Sequence, residues 1–236
     1  ERESVGDISR ILDRYVDGIV ARLISHRDLV RIAEAAAQPV ISAMTDREHP
    51  CQVLADLLTV REHAGRIAGV RVAYVGDGNN VCTSWLYAAA LTGVDLRIVC
   101  PPGYEPPGDV LERAAQLRAG RPGLLLSHAP EPVLDGAEIV YTDVWTSMGQ
   151  EAEQQRRRED FAHLQVNEQL LELAPRALVM HCLPAHRGEE ITDSVLDGER
   201  SIVFDQAENR LWVQQALLSL VFAGSGVEPA RAAALA

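Results

Sequence analysis

Apolar residues recur along this chain first in helical and then in strand-like rhythm. Ile8, Ile11, Leu12 and Tyr15 fall on one face of a helix. Gly18 to Arg22 reads as a short strand, Arg27 to Ala37 as a helix ending before Gln38-Pro39, and Val40-Ile41-Ser42 as a second strand. Val53, Leu54, Leu57, Leu58 and Val60 have helical period, with Pro50 near the first turn and Gly65 as the stop. A second unit opens at Val70 with VRVAYVGDGNN, a buried-type strand that breaks into a Gly-rich turn and then the helix Val81 to Leu91. The strand Leu96 to Cys100 and the helix Asp109 to Ala119 follow, with further strands near Leu124 to Leu126, Glu138 to Thr142, Ala177 to His181 and Ser201 to Phe204. A helix from about Asn209 to Phe222 closes the pattern. This alternation predicts an α/β fold of two parallel-sheet αβα units, the second Rossmann-like and the first incomplete. The boundary falls near Gly65 to Val70, and the last helix is free to pack back across it.

Composition narrows the function classes. The 236 residues are 47% hydrophobic, enough to bury a core, and carry a formal net charge of -12. No basic stripe with interleaved aromatics is present, so nucleic acid is not an expected partner. No apolar stretch approaches the roughly 20 residues that span a bilayer, which argues against a membrane protein. Cys51, Cys82, Cys100 and Cys182 are widely spaced, without a zinc-type pair, and fit a reduced, cytoplasmic setting. The chain opens without Met and enters helical periodicity almost at once, which reads as a truncation. Gln154 to Asp160, QQRRRED, is expected to be a solvated face or loop, and the tail after Ala223 to be frayed.

In open parallel sheets, ligands lie outside the carboxyl ends of the strands. The residues just after the strands here are Arg22, His49 to Gln52, Gly76 to Asn80, Asp143 to Met148, His181 to Pro184, and Glu208 to Arg210. Gly76-Asp77-Gly78 invites a dinucleotide reading, but Val81 stands where the third glycine belongs. The next strand also ends in Cys100-Pro101 instead of an acid for the ribose. A helix N-terminus with free amides and two Asn side chains suits a carboxylate or amino-acid head group better. His49-Pro50-Cys51-Gln52 taken alone is a helix start; with Arg22 in the same unit it makes a phosphate site, in which His49 and Gln52 hold a polarised carbonyl oxygen. Cys182 has a bland reading as a small buried hydrophobe and a sharper one as a thiol nucleophile. His181, its neighbour on an extended chain, points to the opposite side and is a poor base for it.

HPCQVLADLLTVREH, VAYVGDGNN, DVWTSMGQE, MHCLPAHRGEEIT and FDQAENR, in that order, resemble the ornithine carbamoyltransferases, over nearly the whole chain from Ser4 to about Leu220. HCLP together with SMG separates this resemblance from the related aspartate enzymes, whose corresponding motif is HPLP-like. The resemblance implies transfer of a carbamoyl group from carbamoyl phosphate to the side-chain amine of L-ornithine, giving citrulline and phosphate, with no cofactor and no metal. It assigns Arg22, His49, Pro50, Cys51, Gln52, Cys182, Leu183 and Arg210 to carbamoyl phosphate, and Asn80, Asp143, Ser147 and Met148 to ornithine. Cys182, Asp143, His49 and Arg22 would carry the chemistry, Asp143 as an ammonium anchor and Cys182 as a thiolate whose pKa nearby arginines lower. It divides the chain into residues 1–66 as the remainder of a carbamoyl-phosphate-binding domain, 67–208 as an ornithine-binding domain, and 209–236 as a returning helix and tail.

The family's Ser-Thr-Arg-Thr-Arg phosphate clamp does not occur in the sequence, so the N-terminal phosphate-binding segment is expected to be lacking. Relatives of this kind are homotrimers, so a homo-oligomer is the expected assembly. Two other readings stay open: an inactive carbamoyltransferase-like binding protein, and a transferase for putrescine or acylated ornithine.

Overall fold

A computed structural model describes residues 3–119, 123–147 and 149–223. The first unit runs α1 (Val5–Leu12), β1 (Ile19–Arg22), α2 (His26–Ala35), β2 (Val40–Met44) and α3 (Pro50–Ala64). The second runs β3 (Arg71–Val75), α4 (Asn80–Thr92), β4 (Asp95–Val99), α5 (Gly108–Arg118), β5 (Leu124–Ser127), α6 (Glu131–Leu134) and β6 (Ile139–Thr142). It continues through α7 (Gln154–Phe161), α8 (Glu168–Leu171), β7 (Leu178–His181), α9 (Asp193–Leu196) and the long α10 (Val203–Phe222). The described strands form a parallel pair, β1 with β2, and a five-stranded parallel sheet in the order β5-β4-β3-β6-β7. The α/β architecture of two parallel-sheet units agrees with the sequence pattern.

Alternation along the strands feeds two cores, one on each face of the larger sheet. Val72, Tyr74, Ile98, Ile139, Tyr141 and Met180 pack under Trp85 and Leu86 of α4. Ala73, Val75, Val99, Val140 and Val179 pack against Leu134, Phe161 and Leu164 on the other face. The chain moves outward from β3 to β4 and β5 and then returns to β6, so the switch point lies between β3 and β6, and their carboxyl ends frame a crevice.

Local chemistry sets the elements around that crevice. Pro50 occupies the first turn of α3, where its missing N–H is no loss, and Gly65 ends the helix in the left-handed region at φ 70°. At Gly78 an added Cβ would sit 2.2 Å from the nitrogen of Pro106, so only glycine admits the turn that delivers Asn79 to the start of α4. α10 lies along α3 and ties the two units together: Asn209 donates to Thr59 and Glu62, and His63 meets Asp205.

Two expectations are corrected. Ser201 to Phe204 is not a strand: Ser201 makes only an isolated bridge to Val179, and from Val203 the chain is already in α10, six residues earlier than the pattern placed it. Ile8, Ile11 and Leu12 of α1, and Tyr15 just beyond it, are exposed. Residues 154–161 form the helix α7, a largely solvated face as expected, but Arg157 within it is buried, its guanidinium bridging the Asp77 carboxylate at 2.9 Å and the Trp145 carbonyl at 2.9 Å. The tail after Ala223 lies outside the described residues.

Candidate active site

Asp143 and Cys182 directly follow the adjacent strands β6 and β7. The Cys182 thiol donates to Asp143 Oδ1 at 2.8 Å, and the Val144 N–H donates to the same oxygen at 2.7 Å. Asp143 Oδ2 accepts from Asn79 Nδ2 at 2.7 Å. Asn79 has its orientation fixed by its role as N-cap, because its Oδ1 accepts from the N–H groups of Val81 and Cys82 and from the Tyr74 hydroxyl. Only the amide nitrogen is left for Asp143. A carboxylate held by three donors in this way, itself only 6% exposed, is a preorganised anion at the mouth of the crevice.

The same geometry overturns the thiolate expectation for Cys182. Burial and the neighbouring Asp143 carboxylate push its thiol well above the ordinary cysteine range, so Cys182 is a hydrogen-bond donor. His181, fully buried, has both ring nitrogens engaged elsewhere: Nδ1 accepts from the Leu183 N–H at 2.8 Å, and Nε2 lies 3.0 Å from Glu190. That pair of bonds fixes the neutral tautomer, with the proton on Nε2. It also shapes the turn in which Leu183 takes a φ of 53° before the cis bond to Pro184. Ligand-type atoms of Asp143, His181 and Cys182 lie within 4.8 Å of one another. The imidazole has spent both nitrogens on protein partners, so this cluster does not suit a metal.

His49 caps the N-terminal end of α3 and is only 7% exposed. Its backbone N–H donates to Ser84 Oγ at 2.7 Å, which seats this turn on α4. Burial first, then the positive charge of Arg210 and that of Arg22, lower its pKa to about 4 against the opposing pull of Asp143. The imidazole is therefore neutral at ordinary pH, and Arg22, Arg210 and Asp143 are all near enough for their charges to act on it. Cys51 turns its thiol inward to the Ser42 carbonyl at 3.3 Å, so this side chain faces the protein. Asn80 Nδ2 donates to the Thr45 carbonyl at 2.6 Å, another tie between the units. The Ser147 N–H donates to Gln150 Oε1 at 3.1 Å, and Met148 lies outside the described residues. Cys182, Leu183 and Pro184 face Arg210, Leu211 and Gln214 across an open groove of about 740 Å³.

The crevice thus brings together residues from both units: Arg22 and His49 from the first, Asp143 and Cys182 from the second, and Arg210 from α10. Asp56 and Gln206 carried no sequence signal, Arg157 read only as part of a solvated charge run, and Asn79 only as one of two Asn side chains at a helix start. Asn79 was legible as a cap of the S/T/D/N type before a helix, but its hold on Asp143 depends on a contact between residues 64 positions apart.

A family model described as the aspartate/ornithine carbamoyltransferase Asp/Orn binding domain matches residues 68–221, and one described as the carbamoyl-P binding domain matches residues 1–62. The second match corrects the expectation that the phosphate-binding segment is lacking: that domain is represented in the chain. A protein named ornithine carbamoyltransferase from Nostoc punctiforme is 50% identical over 220 residues, covering 93% of this chain and 72% of the relative. Its namesake from Symbiobacterium thermophilum is 51% identical over 224 residues, 94% of this chain and 72% of the relative. Among solved structures, the ornithine carbamoyltransferase from Pyrococcus furiosus superposes with a TM-score of 0.91 at 48% identity, over 95% of this chain and 72% of that one. This chain belongs to the aspartate/ornithine carbamoyltransferase family.

Proposed function

We propose that the protein transfers the carbamoyl group of carbamoyl phosphate to the side-chain amine of L-ornithine, releasing citrulline and phosphate. The observation that carries this reading is the Asp143–Cys182 pair at the ends of β6 and β7, an acceptor for an alkylammonium beside a proton-bearing thiol. An amine with a pKa near 10.4 is about a thousandfold protonated at neutral pH, a handicap of about 4 kcal/mol. Asp143 anchors that ammonium and takes up its proton as the free amine attacks the carbamoyl carbon, with Cys182 holding the carboxylate in place. Neutral His49 donates to the developing oxyanion, Arg22 and Arg210 balance the phosphate charge, and as the tetrahedral intermediate collapses the second amine proton passes to the departing phosphate, which leaves as hydrogen phosphate.

In this reading Arg22, His49, Pro50, Cys51, Gln52, Cys182, Leu183 and Arg210 form the carbamoyl-phosphate side. Pro50 and Cys51 contribute through the helix N-terminus rather than their side chains. Asn80, Asp143, Ser147 and Met148 form the ornithine side. Residues 1–66 are the carbamoyl-phosphate domain and 67–208 the ornithine domain, with the end of the chain from 209 packing back on the first. The protein works in the cytoplasm as a homotrimer.

The test is citrulline formation from carbamoyl phosphate and L-ornithine, with putrescine and N-acetylornithine as competing amines. Citrulline with ornithine alone supports the proposal. Product with putrescine in preference moves the substrate assignment, and no product with any amine, despite binding of carbamoyl phosphate, favours a binding-only relative.

A further inference from the structure

Behind the first turn of α3 lies a chain of buried hydrogen bonds that runs from one half of the crevice to the other. It begins at a donor whose polarity cannot reverse, the backbone N–H of His181 at the end of β7, which donates to Gln206 Oε1 at 2.9 Å. With its oxygen taken, Gln206 must present its amide nitrogen on the other side, and Nε2 donates to Asp56 Oδ1 at 2.7 Å. Asp56 Oδ1 is therefore an acceptor, and it accepts a second time, from Gln52 Nε2 at 2.9 Å. Gln206, Asp56 and Gln52 are respectively 0%, 0% and 1% exposed, so water does not scramble these roles. The polarity holds whichever way Asp56 is ionised, because a proton would sit on Oδ2, which is buried and has no hydrogen-bond partner among the described residues.

The outcome is at Gln52. Its carboxamide is turned so that nitrogen faces Asp56 and Oε1 is left buried without a partner, beside the turn that carries His49 and its own unpartnered Nδ1. A buried carbonyl oxygen with no donor is a costly arrangement unless a ligand supplies one. We propose that Asp56 is a positioning residue which, through the relay from His181 and Gln206, fixes the Gln52 carboxamide as a hydrogen-bond acceptor that reads the amide N–H of the carbamoyl group. Gln52 thus selects a carbamoyl over an acyl phosphate. The inference rests on the carbamoyl-phosphate site proposed above, and it revises the sequence expectation that Gln52 holds the carbonyl oxygen.

The probes are two stable phosphonates that differ at one group: phosphonoacetamide, with an amide nitrogen on its carbonyl, and acetonylphosphonate, with a methyl in its place. Calorimetric titration of the full chain is expected to show phosphonoacetamide bound about tenfold or more tightly, the scale of one buried hydrogen bond to a ligand. Asp56→Asn keeps an acceptor at Oδ1 and is expected to retain that ratio. Asp56→Leu has none, frees the carboxamide to turn, and is expected to bring the ratio within about twofold of one. Should Asp56→Leu fail to fold, as a thermal melt would report, Asp56→Ser makes the same comparison with a side chain too short to reach Gln52. A ratio unchanged in the folded Leu or Ser variant overturns the proposal, as does a wild-type protein that binds both phosphonates equally. Wild-type protein that binds neither overturns it together with the site on which it rests.

Discussion

The Cys182 thiol donates to Asp143 Oδ1 across 2.8 Å, joining the ends of two neighbouring strands. A thiolate there would face the carboxylate as a second anion, which is why burial and Asp143 together drive the thiol pKa up. Cys182 therefore acts by holding Asp143. Although Cys182 lines the groove, iodoacetamide at pH 8 should label it more slowly than an ordinary exposed thiol, because its raised pKa leaves little thiolate, and rapid labelling would restore the thiolate reading. Cys182→Ala should lower turnover by about a hundredfold, the usual scale for disturbing acid–base machinery, while Cys182→Ser, still a donor, should lose less.

Asp143 divides the two substrates. Its carboxylate is the anion of the site, so Asp143→Asn keeps the shape and the Asn79 neighbour but loses the charge that would hold an ammonium. Ornithine affinity should fall about 30- to 100-fold, the worth of a charged hydrogen bond, with carbamoyl phosphate changed less than threefold. Binding isotherms for each ligand check this. Equal losses for both would mean that the substrate sides are wrongly drawn.

Much of this was legible in the sequence because the relevant signals are local. Pro50 and Gly65 bracket α3, the Gly76 to Asn80 turn marks the switch point, and Asp143 and Cys182 each follow an apolar strand. What escaped depends on pairings across long stretches of chain. Arg157 sits in a run of charges whose pattern says solvent, yet Asp77, 80 residues earlier, draws it inside. Ser201 to Phe204 has the apolar content of a strand, but only Ser201 finds a pairing partner, and the helix wins from Val203. The direction of the Cys182 pKa was not legible because it is set first by burial and then by the Asp143 carboxylate, both products of the fold, rather than by an arginine.

Arg157 and Asp77 make a bridge whose side chains are only 7% and 9% exposed, and Tyr104 stacks under the guanidinium 5.0 Å away. Burial raises the Asp77 pKa to about 6 even with Arg157 beside it. Arg157→Ala should leave a buried, unpaired carboxyl and cost about 3–5 kcal/mol in urea denaturation, whereas Asp77→Ala/Arg157→Met should recover much of that by removing both charges. A loss below about 1 kcal/mol in the single variant would show that the bridge is a bystander.

His49 gives a prediction with a defined sign. Its pKa is lowered in the folded protein to about 4, chiefly by burial and then by Arg210, while in the unfolded chain it returns to near 6.5. Between those values the unfolded state binds the proton and the folded state does not, so His49 contributes stability that is present above pH 6.5 and is lost as pH falls toward 4. Asp77 works the other way over an overlapping range, because its raised pKa favours the folded state at low pH and that advantage fades as pH rises from 3.8 through about 6. The two are separable by substitution: His49→Gln should flatten the acid side of the stability curve while leaving the Asp77 contribution intact. Carbon-13 chemical shifts of the His49 ring, followed from pH 8 downward, should stay those of a neutral imidazole until about pH 4. A midpoint near 6.5 would mean that the imidazole is solvated and partly charged near neutral pH, and the donation to the oxyanion would then be assigned to Arg22 or Arg210.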